Sequence, residues 1–236
     1  MAANAVQITL GCEETPVAIV KDTISIVGSS YFQPIADLVD KLLKVAERRP
    51  DRDHPTHAEN GYAAAVCVLL VALLESYTAR VRFKRGSEIT GTLDIPSLLG
   101  SLFPGLPTAA QLPEVFLLRN MLVHNHVWHL DNPGGGAPGS TIAAPRALGF
   151  SLKKTYDDLV DVAQRRTVLL GLSAVPTEVG LREARIVFEA IWKSLEHMSA
   201  IDHDHTPLGG RTVGFRGQHR QFDTLLNELS NASGAT

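Results

Sequence analysis

The chain has 236 residues, of which 22 are basic and 25 acidic, for a net charge of -3, and 44% of them are hydrophobic. That composition is ample for a large core; it excludes a disordered, highly charged chain and a strongly basic nucleic-acid binder, so any grip on RNA must be local. The two cysteines, Cys12 and Cys67, form neither a disulfide framework nor a zinc quartet, and a reducing cytoplasm is the expected compartment.

The first 29 residues alternate weakly, with Val6, Ile8 and Leu10 followed by apolar pairs over 17–20 and 24–27, and read as a strand-like extension. Ser30 and Gln33 have the spacing of a capping box, and Ile35, Leu38, Leu42 and Val45 recur at helical spacing up to Arg48. The polar stretch 47–57 breaks this first helix, and a longer second helix is expected over 58–84, closed by Gly86. Its longest apolar run, 62–74, has 13 residues, short of the roughly 18 to 20 that cross a bilayer, and no basic-then-apolar signal pattern opens the chain. No membrane attachment is expected.

Seven glycines and prolines over 86–107 predict a loop with one short helical turn at 96–103. Thr108 and Gln111 are placed to cap a third long helix over 112–130, ending near Asp131-Asn132-Pro133. The glycine-rich stretch 131–149 is expected as a loop insertion. A fourth helix over 152–170 stopping at Gly171, and a fifth over 177–198, follow from their periodicity. Residues 199–218 are polar and glycine-rich, and Phe222, Leu225, Leu226 and Leu229 mark a short amphipathic helix. The chain thus reads as mainly α: an extension over 1–29, a helical domain over 30–200 and a C-terminal tail over 201–236.

The third long helix carries the chemistry. Residues 112–130 read LPEVFLLRNMLVHNHVWHL, apolar on every side of a helical wheel, so the helix is expected to be buried. Burying Arg119, Asn120 and His124 costs free energy unless each has a partner, and the guanidinium cannot shed its proton. At about 100° per residue Asn120 and His124 share one stripe, while Arg119 points roughly 140° from His124. One helix cannot focus all three on one atom; two copies face to face can.

Arg119, Asn120 and His124 form the pattern RNxxxH, which resembles the R-x4-6-H signature of HEPN domains, over about 31–200 mostly as helix pattern. The resemblance implies an antiparallel helical bundle and a metal-independent endoribonuclease that dimerises to bring two motifs together, often a toxin or antiviral-defence effector. It implies an RNA substrate, no cofactor, and an antitoxin or activating partner. One branch of toxins extends the motif to a tyrosine two residues past the histidine; His126 stands there instead, so control by modification of that tyrosine is not expected.

Cleavage through the ribose 2'-hydroxyl needs a base, an acid for the 5'-oxygen and positive charge for the phosphorane-like transition state. Histidine titrates near neutrality, and arginine stays charged and offers forked donors, so His124 and Arg119 fit those roles. Asn120 would orient the imidazole or donate to phosphate, His126 would support the site, and Glu75, the acid ending the apolar run of the second helix, is the expected partner of Arg119. The product would be a 2',3'-cyclic phosphate with a 5'-hydroxyl.

Other readings compete. Arg119 and His124 also fit a buried ion pair and a satisfied core histidine, and some HEPN-like domains bind proteins or nucleotides without cutting. His124, His126 and His129 with Asp202, His203, Asp204 and His205 have ligand chemistry for a metal hydrolase, but no HExxH spacing. Arg80, Arg82, Lys84 and Arg85 end the second helix, where cations complement the helix dipole; they are also the foremost candidates for phosphate-backbone contact, ahead of Arg165-Arg166 and 211–220.

Overall fold

The computed structural model describes residues 27–48, 54–86, 94–123, 130–131, 141–142 and 157–233, and these are mainly helical. Helix α1 (Phe32–Ala46) buries Ile35, Ala36, Val39, Leu42 and Leu43 along one stripe, as its periodicity requires. Helix α2 (His57–Lys84) starts where the Thr56 hydroxyl accepts the Glu59 amide, and it packs against α1. α3 (Ile95–Leu102) follows Asp94, whose carboxylate accepts the Ser97 amide. α4 (Leu112–Val123) and α5 (Leu181–Ile201) complete the packing around α2. Each apolar side chain fully buried there contributes about 1.5–3 kcal/mol.

Three two-stranded antiparallel pairs accompany the helices: β1 (Leu130–Asp131) with β2 (Thr141–Ile142), β3 (Val160–Asp161) with β4 (Arg166–Thr167), and β5 (Thr212–Phe215) with β6 (Gln218–Gln221). Helix α6 (Thr224–Ser233) closes the described chain. In β5–β6, Arg216 and Gly217 both have positive φ, 49° and 76°, which the two-residue turn of a tight hairpin requires.

Several sequence expectations change. The strand-like reading of 1–26 lies outside the described residues, and Val27–Tyr31 is a 3-10 turn. There Gly28 donates to the Ser76 hydroxyl at 2.7 Å, and a β-carbon on Gly28 would meet the Ser76 β-carbon at 2.8 Å. The Ser30–Gln33 capping box does not form. Helix α1 begins after Tyr31 with no side-chain cap, and Gln33 instead accepts from the Gly214 amide at 2.8 Å and donates to the Gly214 carbonyl at 2.9 Å, stapling α1 to β5. Thr108 likewise pairs with Ser194 of α5 at 2.6 Å.

Helix α4 is described only to Val123, and Leu130–Asp131 is already strand, so the helix does not run to Asp131. The expected fourth helix is also corrected. Beyond a helical turn at 157–159, the chain makes the β3–β4 hairpin. Asp161 Oδ1 accepts the amides of Ala163 and Gln164 at 2.9 and 3.0 Å, Arg165 has φ 56°, and the Thr167 hydroxyl accepts the Leu172 amide at 2.9 Å. These short polar side chains offer the backbone partners that a helix would otherwise supply.

The segment read as a C-terminal tail joins the main core. Val213, Phe215, Phe222, Leu225 and Leu229 are buried with α1, α2 and α5, and the Phe222 ring stacks on Phe188 at 5.0 Å and meets Phe32 edge-on at 4.7 Å. Helix α2 is long and apolar enough to cross a membrane by length and composition, contrary to the expectation from its 13-residue run. Half of its most apolar window is buried inside the fold.

Candidate functional site

Helix α4 buries Leu112, Glu114, Val115, Phe116, Leu117, Leu118 and Met121, which span most of its circumference. A helix apolar all round needs neighbours all round, and α2, α3 and α5 supply them. Arg119 and Asn120 are only half-buried, so the polar pair falls where this packing thins.

Arg119 donates through Nη2 to the Glu75 Oε1 of α2, the pairing expected from the sequence. Its guanidinium also lies over the Phe116 ring, one turn earlier, at 5.6 Å from the centroid. The ring face and the carboxylate together fix the arginine plane. The Arg119 side chain keeps 22% of its surface accessible and Glu75 keeps 34%, so the pair sits at the protein edge. The Arg119 Nε is buried without a hydrogen-bond partner. The Asn120 amide makes no hydrogen bond with another described residue, which leaves its donors and acceptor available. His124 and His126 lie outside the described residues.

Glu114, five residues before Arg119, is a polar residue that sequence reasoning passed over. It is fully buried, and its two carboxylate oxygens accept the backbone amides of Leu169 and Leu170 at 2.6 and 2.8 Å, fastening the β4 turn to α4. Its only advance signal is an acid within an otherwise apolar helix.

The four cations at the end of α2 separate. Arg85 donates to Asp202 at 2.5 Å, and Asp202 also receives His205 Nδ1 at 2.7 Å, so this arginine holds the loop after α5. Burial pushes the Asp202 carboxyl up, but the hydrogen bonds and charges of Arg85 and His205 outweigh it and hold the group below its ordinary value. Arg80 reaches the Asp204 carbonyl at 3.5 Å, and Arg82 and Lys84 are exposed. Among the described residues no group of three or more His, Cys, Asp or Glu is arranged to hold a metal ion.

Burial drives the Cys67 thiol far above its ordinary range, and the Glu183 charge pushes the same way. A thiol so placed is a core residue, not a nucleophile. A groove of about 410 Å³ lined by Trp192, Glu196, Arg211, Phe222 and Asp223 includes none of the motif residues. Comparison with models of protein families, with curated proteins and with solved structures finds no match.

Proposed function

We propose that the chain is a metal-independent endoribonuclease of the HEPN type, acting as a homodimer whose composite active site draws on Arg119, Asn120 and His124 of both copies. The observation that carries the reading is the Arg119–Glu75 pair: a guanidinium kept on an otherwise core helix, oriented by a carboxylate and a ring, yet partly open to solvent. A cation held in one orientation but still reachable is what a phosphorane-like transition state needs, because the donors are aimed before charge develops. Glu75 fixes the arginine, Asn120 offers an uncommitted amide beside it, and His124, four residues after Asn120 in the sequence, supplies the base in one copy and the acid in the other. The role of His124 rests on the RNxxxH spacing, and that of His126 as a supporting group rests on adjacency in sequence. The biological role proposed is that of a toxin or defence effector in the cytoplasm, restrained by a partner protein.

The test is cleavage of labelled single-stranded RNA and a transfer RNA pool by wild-type protein and His124→Ala, with chelator present and end groups identified. Cyclic-phosphate ends that vanish in the variant are expected. A folded wild-type dimer that cuts neither RNA would shift the reading to a binding module, and activity lost to the chelator would shift it to a metal hydrolase.

A further inference from the structure

The last turn of α2 carries an exposed aromatic side chain. Phe83 is 67% exposed, the most exposed large apolar residue described, on a helix whose other aromatic near this end, Tyr77, is wholly buried. At about 100° per residue, Arg80, Phe83 and Lys84 stand at i, i+3 and i+4 and make one continuous stripe, whereas Arg82 points to a different side. The stripe runs beside the loop after α5. Tyr77 donates to the Pro207 carbonyl at 3.1 Å, Arg80 reaches Asp204, and Arg85 ties to Asp202, so this loop is pinned along the helix at three successive turns. The stripe is therefore presented from a rigid base.

Charge is arranged to match. The Asp202 carboxylate is already paired with Arg85 and hydrogen-bonded to His205, which removes one of the two loop anions from the stripe's surroundings and leaves Asp204. Lys84 is exposed and makes no ion pair with another described residue.

The geometry points to a docking site for a single-stranded nucleic acid at this end of α2, with a base stacked on Phe83 and the flanking phosphate held by Lys84. An exposed ring beside a cation is the recurring element of such sites: stacking tolerates any base, and the cation follows the backbone. A peptide-docking surface would call for neighbouring apolar side chains, and the stripe supplies cations instead. This inference deepens the ribonuclease reading and rests on it for the nature of the strand, but it is tested separately from cleavage.

The experiment is fluorescence anisotropy of a labelled single-stranded DNA 12-mer, which lacks the 2'-hydroxyl and cannot be cut by the proposed chemistry. Wild-type protein is expected to bind at low salt, Phe83→Ala to bind about tenfold more weakly, and Lys84→Gln to lower the salt slope by about one. Phe83→Ala binding unchanged, or wild type failing to bind at low salt, overturns the inference. Phe83-dependent binding by a protein that cuts no RNA would leave this site standing and defeat the nuclease reading alone. Phe83 is exposed, so circular dichroism should show the variant folded.

Discussion

Glu114 and Arg119 lie five residues apart on the same helix, and each is a charged group in an apolar segment, but their surroundings differ in kind. Glu114 is fully buried, and both its oxygens are taken by backbone amides of the β4 turn. Arg119 is answered by one carboxylate and a ring, retains 22% exposure, and has a buried Nε left over. The first has spent its bonding capacity on the fold. The second has capacity to spare, and spare capacity at an accessible edge separates a group that can meet a ligand from one that only holds the chain.

This contrast is broken most sharply by Arg119→Ala. Under the nuclease reading, RNA cleavage should fall about 100- to 1,000-fold, the usual cost of removing a donor aimed at a developing charge. Thermal unfolding should show only a small loss, since the pair is at the surface. An equal loss of fold and activity would return Arg119 to a structural role. Glu114→Ala is the opposite case. It leaves the Leu169 and Leu170 amides without their acceptor, which should destabilise the protein by about 1–3 kcal/mol in urea titration. Hydrogen exchange at 169–170 should rise more than elsewhere. If the hairpin stays protected, the carboxylate is not what holds it.

The same distinction marks what was readable in the sequence. Helices α1 and α5 follow from periodicity, because their stability comes from a stripe of side chains that the sequence displays directly, and α2 follows from its long apolar run and the glycine that closes it, while α3 was legible only as a short turn within a loop. The Arg119–Glu75 pair was legible for a related reason: the one cation of α4 and the acid that ends the apolar run of α2 have few other partners. The hairpin at 160–167 was not, because it is decided by Asp161 and Thr167 bonding backbone close by and by Glu114 reaching from 55 residues away. The Gln33 staple was hidden likewise. A glutamine three residues after a serine looks like a cap, and only the tertiary arrangement reveals Gly214 as the better partner. Arg216-Gly217 carried a turn signal that the polarity of 199–218 obscured.

Asp202 extends the contrast to pH. Its folded-state value is depressed, so its contribution is fully present above its unfolded value, near pH 4, and is lost as pH falls through the lower folded value. Asp202→Asn should therefore flatten the acid limb of a stability-against-pH curve. An unchanged acid limb would mean that Arg85 and His205 hold the loop without help from this charge.

The smallest effect is the most informative about the site itself. A double-mutant cycle between Arg119 and Glu75, read by urea unfolding, should give a coupling of about 0.2–1 kcal/mol, because both side chains are partly solvated and the pair is screened. If the cycle returns a coupling of about 3 kcal/mol or more, the pair behaves as a buried structural lock, and Arg119 joins Glu114 on the side of the fold. A small coupling in stability combined with a large effect of Glu75→Gln on cleavage would place the carboxylate where the nuclease reading needs it. It would then act on the arginine's aim rather than on the protein's persistence, since the fold would hardly register the loss of a charge that the chemistry cannot do without.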